Sequence, residues 1–148
     1  MAGELVIRAA REEDAAALLE IYEPYVLNTV VTFEIDVPTV EDFAGRIKKT
    51  LARYPYLVAE LDGTIVGYAY ASQFRTRAAY DRSAETSVYV RMGLHRAGVG
   101  SALYRALEEA LHKTNIVTLV AVITYPNPES VCFHDKFGYR RVGVLEKI

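Results

Sequence analysis

The sequence predicts a mixed α/β (α+β) fold built on one sheet. Three observations carry that expectation. Apolar runs of strand length alternate with apolar stripes at helical spacing. The dipeptide Asp62-Gly63 separates the runs 57–61 and 65–71, a strong hairpin signal, so part of the sheet is antiparallel. The later strand-like runs are separated by crossover helices, so the sheet is mixed.

Residues 5–7, Leu-Val-Ile, read as a first buried strand. Residues 9–22 read as a helix, because Ala15, Leu18, Leu19 and Tyr22 recur at three and four. The acidic residues up to Asp14 suit its start. Pro24 is expected to break it, leaving 25–28 as a short second helix and 30–35 as an irregular extended piece. Thr39 reads as an N-cap, and Phe43, Ile47 and Leu51 form the stripe of the next helix, which ends before Pro55. The hairpin follows, then a polar, basic segment over 72–83 with Arg75, Arg77 and Arg82, then a strand over 86–90. Val99, Leu103, Ala106, Leu107, Ala110 and Leu111 define an amphipathic helix. The β-branched run 117–123 reads as a buried strand. Pro128 starts a further helix, Gly138 ends it, and 140–145 reads as a last strand.

The chain has 148 residues, the size of one domain, with 51% hydrophobic and 24% charged residues. Its net charge of −2 gives no global pull toward nucleic acid or anionic lipid, so an anionic ligand needs local donors. Cys132 is the lone cysteine and forms no internal disulfide. The opening residues lack a basic n-region and a long apolar stretch, so no signal peptide is expected. No uncharged run approaches the ~20 residues of a membrane span, and the expected location is cytoplasmic. No metal is expected.

The turn Arg96-Ala97-Gly98-Val99-Gly100-Ser101 lies between a strand and a helix. A helix N-terminus carries unpartnered N–H groups and partial positive charge. Glycines let backbone approach a phosphate closely, and Arg96 adds a charge-assisted bond. Alone, a Gly-x-Gly turn is weak evidence. No Gly-Lys-Ser/Thr follows, which excludes a P-loop. Leu103 stands where a dinucleotide fingerprint wants a third small residue.

With His95 just before it, this turn resembles the pyrophosphate signature of the GNAT acetyltransferase superfamily in a shortened form. Asn127-Pro128-Glu129-Ser130 leading to Phe137-Gly138-Tyr139 resembles a second signature. Within the superfamily, four stretches resemble phosphinothricin acetyltransferase and its methionine sulfoximine and sulfone relatives: 29–34, 53–60, 77–81 with 84–90, and 120–139. The resemblance implies a mixed, mostly antiparallel central sheet with helices on both faces. It implies acetyl-CoA as co-substrate, a small amine as acceptor, and a homodimer. Such proteins usually continue into a tryptophan-containing segment and a final strand. This sequence ends at Ile148 without tryptophan, so it resembles a shortened member in one domain over 1–148.

N-acetylation needs a deprotonated amine, hence a base. The resemblance places that base at Glu85, and strand alternation puts Glu85, Ser87 and Tyr89 on one face. An exposed strand-edge glutamate is the plain alternative. The resemblance implies that His134 stands where many members carry a tyrosine at the leaving thiolate; a backbone-bonded helix histidine is its alternative. Backbone of Val88, Tyr89 and Val90 is expected to face the cofactor and stabilise charge on the thioester oxygen. The turn from His95 and Arg96 through Ala97, Gly98, Val99, Gly100 and Ser101 is expected to hold the pyrophosphate. Asn127 and Ser130 are candidate contacts to the pantetheine arm or the phosphate, with helix capping as the equal alternative. Arg75 and Arg77 are candidates to hold an acceptor carboxylate, with Phe33 and Tyr80 as pocket walls. Two other readings stay open: acetylation of another amine or a protein N-terminus, and a non-catalytic acyl-CoA-binding module.

Overall fold

Two-residue alternation in the central strands gives the sheet two unlike faces. In the computed structural model, which describes residues 3–95 and 97–148, five strands run in the order β1-β2-β3-β4-β5. They are β1 (Leu5–Ala9), β2 (Tyr56–Leu61), β3 (Thr64–Gln73), β4 (Ser83–Val90) and β5 (Thr118–Val120). The first three pairings are antiparallel and β4–β5 is parallel. The hairpin forms at Asp62 and Gly63, both with positive φ (53° and 83°), as a tight primed turn requires.

One face carries Tyr56, Val58, Tyr68, Tyr70 and Tyr89, covered by α1 (Ala15–Asn28) and α2 (Val40–Leu51). The other carries Ala59, Gly67, Ala69, Ala71 and Ala84. These small residues let α3 (Val99–His112) seat Val99, Leu103 and Leu107 almost fully buried against the sheet. Each such side chain contributes about 1.5–3 kcal/mol. The last helix, α4 (Pro128–Lys136), adds Phe133 to the same core.

Local signals explain most boundaries. The Thr39 hydroxyl accepts a bond from Asp42 N–H and caps α2. Gly138, at φ 84°, follows α4 and ends it. At the other end, Arg8 binds both Asp14 and Glu60, pinning β1 to the start of α1 and to β2. That ion pair holds the Asp14 carboxyl below its ordinary range.

Four expectations need correction. The helix expected over 9–22 begins at Ala15, after a 3-10 turn at Glu12–Asp14, because Asp14 is tied to Arg8 and to Arg11 N–H. Pro24 does not break α1, which runs on to Asn28 and absorbs the expected second helix. Leu18, Ile21, Tyr22, Tyr25 and Val26 are buried on both sides of it, so packing holds the helix across the missing bond. The strand expected over 117–123 keeps only Thr118–Val120, since β4 offers no ladder beyond Glu85. Residues 140–145 form no strand among the described residues: nothing pairs with them, and Val142 and Leu145 are exposed.

Gly67 marks the closest approach of α3 to the sheet. A Cβ there would meet Val99 Cγ1 at 3.0 Å, Tyr89 O at 3.1 Å and Leu103 Cδ1 at 3.2 Å. Gly67→Ala should therefore cost about 1–3 kcal/mol by overpacking, read as a lower thermal midpoint. An unchanged midpoint would mean that α3 shifts freely.

Candidate active site

The site begins where two strands part. β4 pairs with β3 from Ala84 to Val90, but with β5 only at Ser83, Ala84 and Glu85. The bond from Arg91 N–H to Val66 O fixes the phase of the β3–β4 ladder. By alternation, Val88 and Val90 turn their N–H and C=O groups away from β3, toward the opened side. Val90 O accepts a bond from the Tyr25 hydroxyl. The opened edge thus presents backbone donors from the stretch expected to face a cofactor.

The α3 N-terminus stands at the end of this opening. Gly98 precedes the helix at φ 79°, a left-handed conformation that favours glycine. Ala102 N–H bonds to Gly98 O, which leaves the N–H groups of Val99, Gly100 and Ser101 in the first turn without intrahelical acceptors. A Cβ on Gly100 would lie 3.4 Å from Phe133 and 3.7 Å from Val90, so the turn sits between β4 and α4. Ala97 N–H bonds to Leu94 O, closing the loop. Arg96 lies outside the described residues. His95 Nε2 lies 2.6 Å from the Tyr25 hydroxyl, which ties the turn back to α1.

Glu85 lies on the tyrosine face of β4, opposite Ser72 of β3. Burial pushes its carboxyl above the ordinary value, and the Arg75 guanidinium partly offsets this. Arg75 stacks on Phe74 at 4.3 Å, and Phe74 meets Tyr80 edge-on at 5.7 Å. Glu85, Arg75 and Tyr80 thus belong to one neighbourhood. Arg77 is exposed and precedes the 3-10 turn Ala78–Tyr80. Phe33 is exposed on the loop after α1, whose Val31 carbonyl accepts a bond from Thr124 beyond β5. That contact ties the loop to the segment just beyond β5.

His134 is on the other side of β4. Its Nδ1 lies 2.7 Å from the Ser130 carbonyl, so Nδ1 carries the proton and Nε2 accepts from Tyr104 O–H at 2.9 Å. Tyr104 and Tyr139 both reach Thr86 Oγ1, at 3.3 and 2.8 Å. The alternation of β4 therefore separates Glu85 from His134, and the structure does not bring them to one surface. Asn127 caps α4 through Ser130 N–H at 3.2 Å, and Ser130 Oγ lies 3.3 Å from His134 Nδ1. The Asn127 side chain thus has a capping role in place, and the Ser130 hydroxyl lies against His134 one turn on.

Sequence reasoning did not single out Tyr25, Thr86 or Tyr104. The signal for Tyr104 was present: a hydroxyl inside the apolar stripe of α3 must find a partner when buried.

Residues 7–148 match the model of the acetyltransferase (GNAT) domain family. The chain belongs to that family. It is an acetyltransferase of the GNAT type, related to phosphinothricin and methionine sulfoximine N-acetyltransferases. Phosphinothricin N-acetyltransferase of Streptomyces viridochromogenes is 37% identical over 139 residues, spanning 94% of this chain and 76% of that protein. The L-methionine sulfoximine/L-methionine sulfone acetyltransferase of Salmonella typhimurium is 31% identical over 145 residues, 97% of this chain and 85% of that one. A solved GNAT phosphinothricin acetyltransferase from Sinorhizobium meliloti, in complex with AcCoA, superposes with a TM-score of 0.90 at 34% identity. It covers 94% of this chain and 76% of that one. No described helix is long and apolar enough to cross a membrane.

Burial lowers the His134 pKa from 6.5, so the folded protein holds it neutral. The unfolded chain takes up this proton first as pH falls. Stability from this group is present above 6.5 and is lost as pH drops through 6.5 toward the folded-state value. Thermal midpoints measured from pH 7.5 to 5.5 should fall, and His134→Gln should flatten that slope. The same slope in both proteins would exclude His134 as its source.

Proposed function

We propose that this GNAT enzyme transfers an acetyl group from acetyl-CoA to the amino group of a small amino-acid-like acceptor, with Glu85 as general base. The carrying observation is Glu85 itself: a partly desolvated carboxylate at the last β4–β5 pair, where the strands part.

The residues present fit acetyl-CoA. The first-turn N–H groups of α3, with Gly98 and Gly100, suit a pyrophosphate. The opened edge of β4 suits an extended arm that pairs with backbone. When bound, acetyl-CoA supplies the activated acyl group. Glu85 takes the proton that the amine loses as its nitrogen bonds to the acyl carbon and the carbon–sulfur bond breaks. Val88 N–H, pointing into the opening, is the donor for charge on the acyl oxygen. Arg75 holds an acceptor carboxylate beside Glu85, with Phe33, Arg77 and Tyr80 around the entrance. Arg96 and His95 flank the phosphate turn.

His134 takes a supporting role here. Both of its ring nitrogens are engaged within the protein, so it acts by fixing Tyr104 and, through it, Thr86 on β4. Asn127 and Ser130 support the cofactor side by setting the start of α4. We further propose a homodimer in the cytoplasm, after the relatives that the sequence resembles.

An acid–base role demands ionised Glu85, and its raised pKa places the acid limb of kcat/KM above 4.5, with activity rising through that limb as pH increases. Glu85→Gln should lower kcat by about 10²–10⁴-fold while acetyl-CoA binding, measured by calorimetry, persists. Its thermal midpoint at pH 7 should not fall, because the neutral amide relieves the desolvated charge. Equal activity in the variant would remove Glu85 as the base. Acetyl-CoA binding without turnover on any amine would favour a binding module.

A further inference from the structure

Two parts of the candidate acetyl-CoA site lie on different elements. The opened edge of β4 carries the backbone groups of Val88 and Val90, and the turn at Gly98 starts α3. A ligand that uses both binds well only where the two keep one spacing. Among the described residues, Tyr25 of α1 reaches both. Its hydroxyl lies 2.5 Å from Val90 O and 2.6 Å from His95 Nε2, on the loop that leads into the turn.

The proton count fixes the direction of these bonds. A phenol has one proton, and a carbonyl oxygen only accepts. Tyr25 O–H therefore donates to Val90 O, and His95 Nε2–H donates to the phenol oxygen. Burial pushes the Tyr25 phenol up to about 12, so it stays protonated near neutral pH. The ring is held firmly: it meets Tyr89 edge-on at 5.3 Å, and the Tyr25 backbone carbonyl accepts from the Thr29 hydroxyl at 2.6 Å. His95, by contrast, is exposed. Tyr25 thus anchors an exposed turn to a buried helix.

The same hydroxyl marks where pairing along β4 stops. With Val90 O engaged, an extended arm on the opened edge is left with the groups of Val88 and with Val90 N–H. Such an arm leaves the strand at Val90, beside the turn, where a Cβ on Gly100 would lie 3.7 Å from Val90 Cγ2. A pyrophosphate attached to the arm then meets the first-turn N–H groups of α3.

We infer that Tyr25 is a positioning residue for acetyl-CoA: its hydroxyl sets the β4 edge and the phosphate turn at one spacing, so that arm and pyrophosphate engage together. The inference rests on the acetyl-CoA reading and deepens it. Tyr25 acts through Val90 and His95, at the opposite end of β4 from Glu85. Without the hydroxyl each half still meets its part of the ligand, but the turn must be ordered at the expense of affinity.

The test compares acetyl-CoA with S-acetylpantetheine, which has the same thioester arm and no pyrophosphate. Tyr25→Phe keeps the ring and its packing on Tyr89. It should raise the KM for acetyl-CoA by about three- to tenfold with kcat at saturation little changed, and the effect on S-acetylpantetheine should be smaller. His95→Ala, on an exposed loop, gives a second variant with the same split. His95→Gln, whose amide N–H can donate to the phenol, should recover most of the loss. The two losses should combine to less than their sum, because the residues share one bond. Equal losses on both thioesters, an unchanged KM, or fully additive losses would overturn the inference and leave acetyltransfer standing. Calorimetric binding of CoA and of pantetheine gives the same comparison if no amine is acetylated. A loss on CoA that exceeds the loss on pantetheine then supports the role of Tyr25, and equal or no loss refutes it. Failure of the wild type to bind CoA would remove both readings.

Discussion

The two-residue alternation of β3 and β4 is the constraint on which the rest of the molecule depends. The run Gly67-Tyr68-Ala69-Tyr70-Ala71 sends small side chains to one side and tyrosines to the other. A slip of one residue would exchange the two faces completely. In the observed register, the small face lets α3 lie close enough for its N-terminus to reach the end of β4. The tyrosine face is too bulky for such an approach. There α1 and α2 stand over stacked rings, Tyr68 on Tyr89 at 5.4 Å and Tyr56 on Tyr70 at 4.8 Å, and leave a cavity. The glycine turn that starts α3 and the cavity beneath α1 and α2 are thus two consequences of one pattern.

β4 extends this division to the chemistry. Glu85 and Thr86 are neighbours in sequence and face opposite sides. Glu85 looks toward Arg75 and the tyrosines. Thr86 joins Tyr104, Tyr139 and His134 beneath α3 and α4. Between the two faces runs the unpaired edge of Val88 and Val90. A buried edge with unmet N–H groups is costly, and the fold contains that cost by opening the edge instead of covering it. On that edge the Val90 carbonyl is met by the Tyr25 hydroxyl, which also contacts His95. The parting of β4 from β5 is therefore held from both sides: by the α4 network behind the strand, and by α1 through Tyr25 and His95.

Much of this was legible in the sequence because its signals are local. Asp62-Gly63 makes a turn whatever surrounds it. Thr39 caps because Asp42 is three residues on. Gly98 takes a conformation that few other residues accept. What escaped was information carried by partners far along the chain. Pro24 looks like a helix end until the buried residues around it are known. The run 117–123 reads as a strand by its β-branched residues, yet the length of a strand is set by its neighbour, and β4 turns away after Glu85. Residues 140–145 have strand composition and no ladder to join. Tyr104 was not singled out, although its hydroxyl had to be satisfied 30 residues away by His134. His134 shows the same limit. Its position in α4 was legible, but the side of β4 that α4 covers was not.

The cost of these features bears on how the site is to be understood. A desolvated Glu85 disfavours the folded state. A chain selected for stability alone would carry glutamine at this position with little strain, since the replacement keeps the shape. Structural groups behave differently: Asp14 is buried too, but Arg8 and the Arg11 amide satisfy it, and its carboxyl is held low by those contacts. The contrast separates a buried carboxyl whose partners offset its burial from a carboxyl whose burial outweighs the cation near it. Asp14 is of the first kind and holds β1 to the start of α1. Glu85 is of the second kind, at the last pair of β4 and β5, where the strands part.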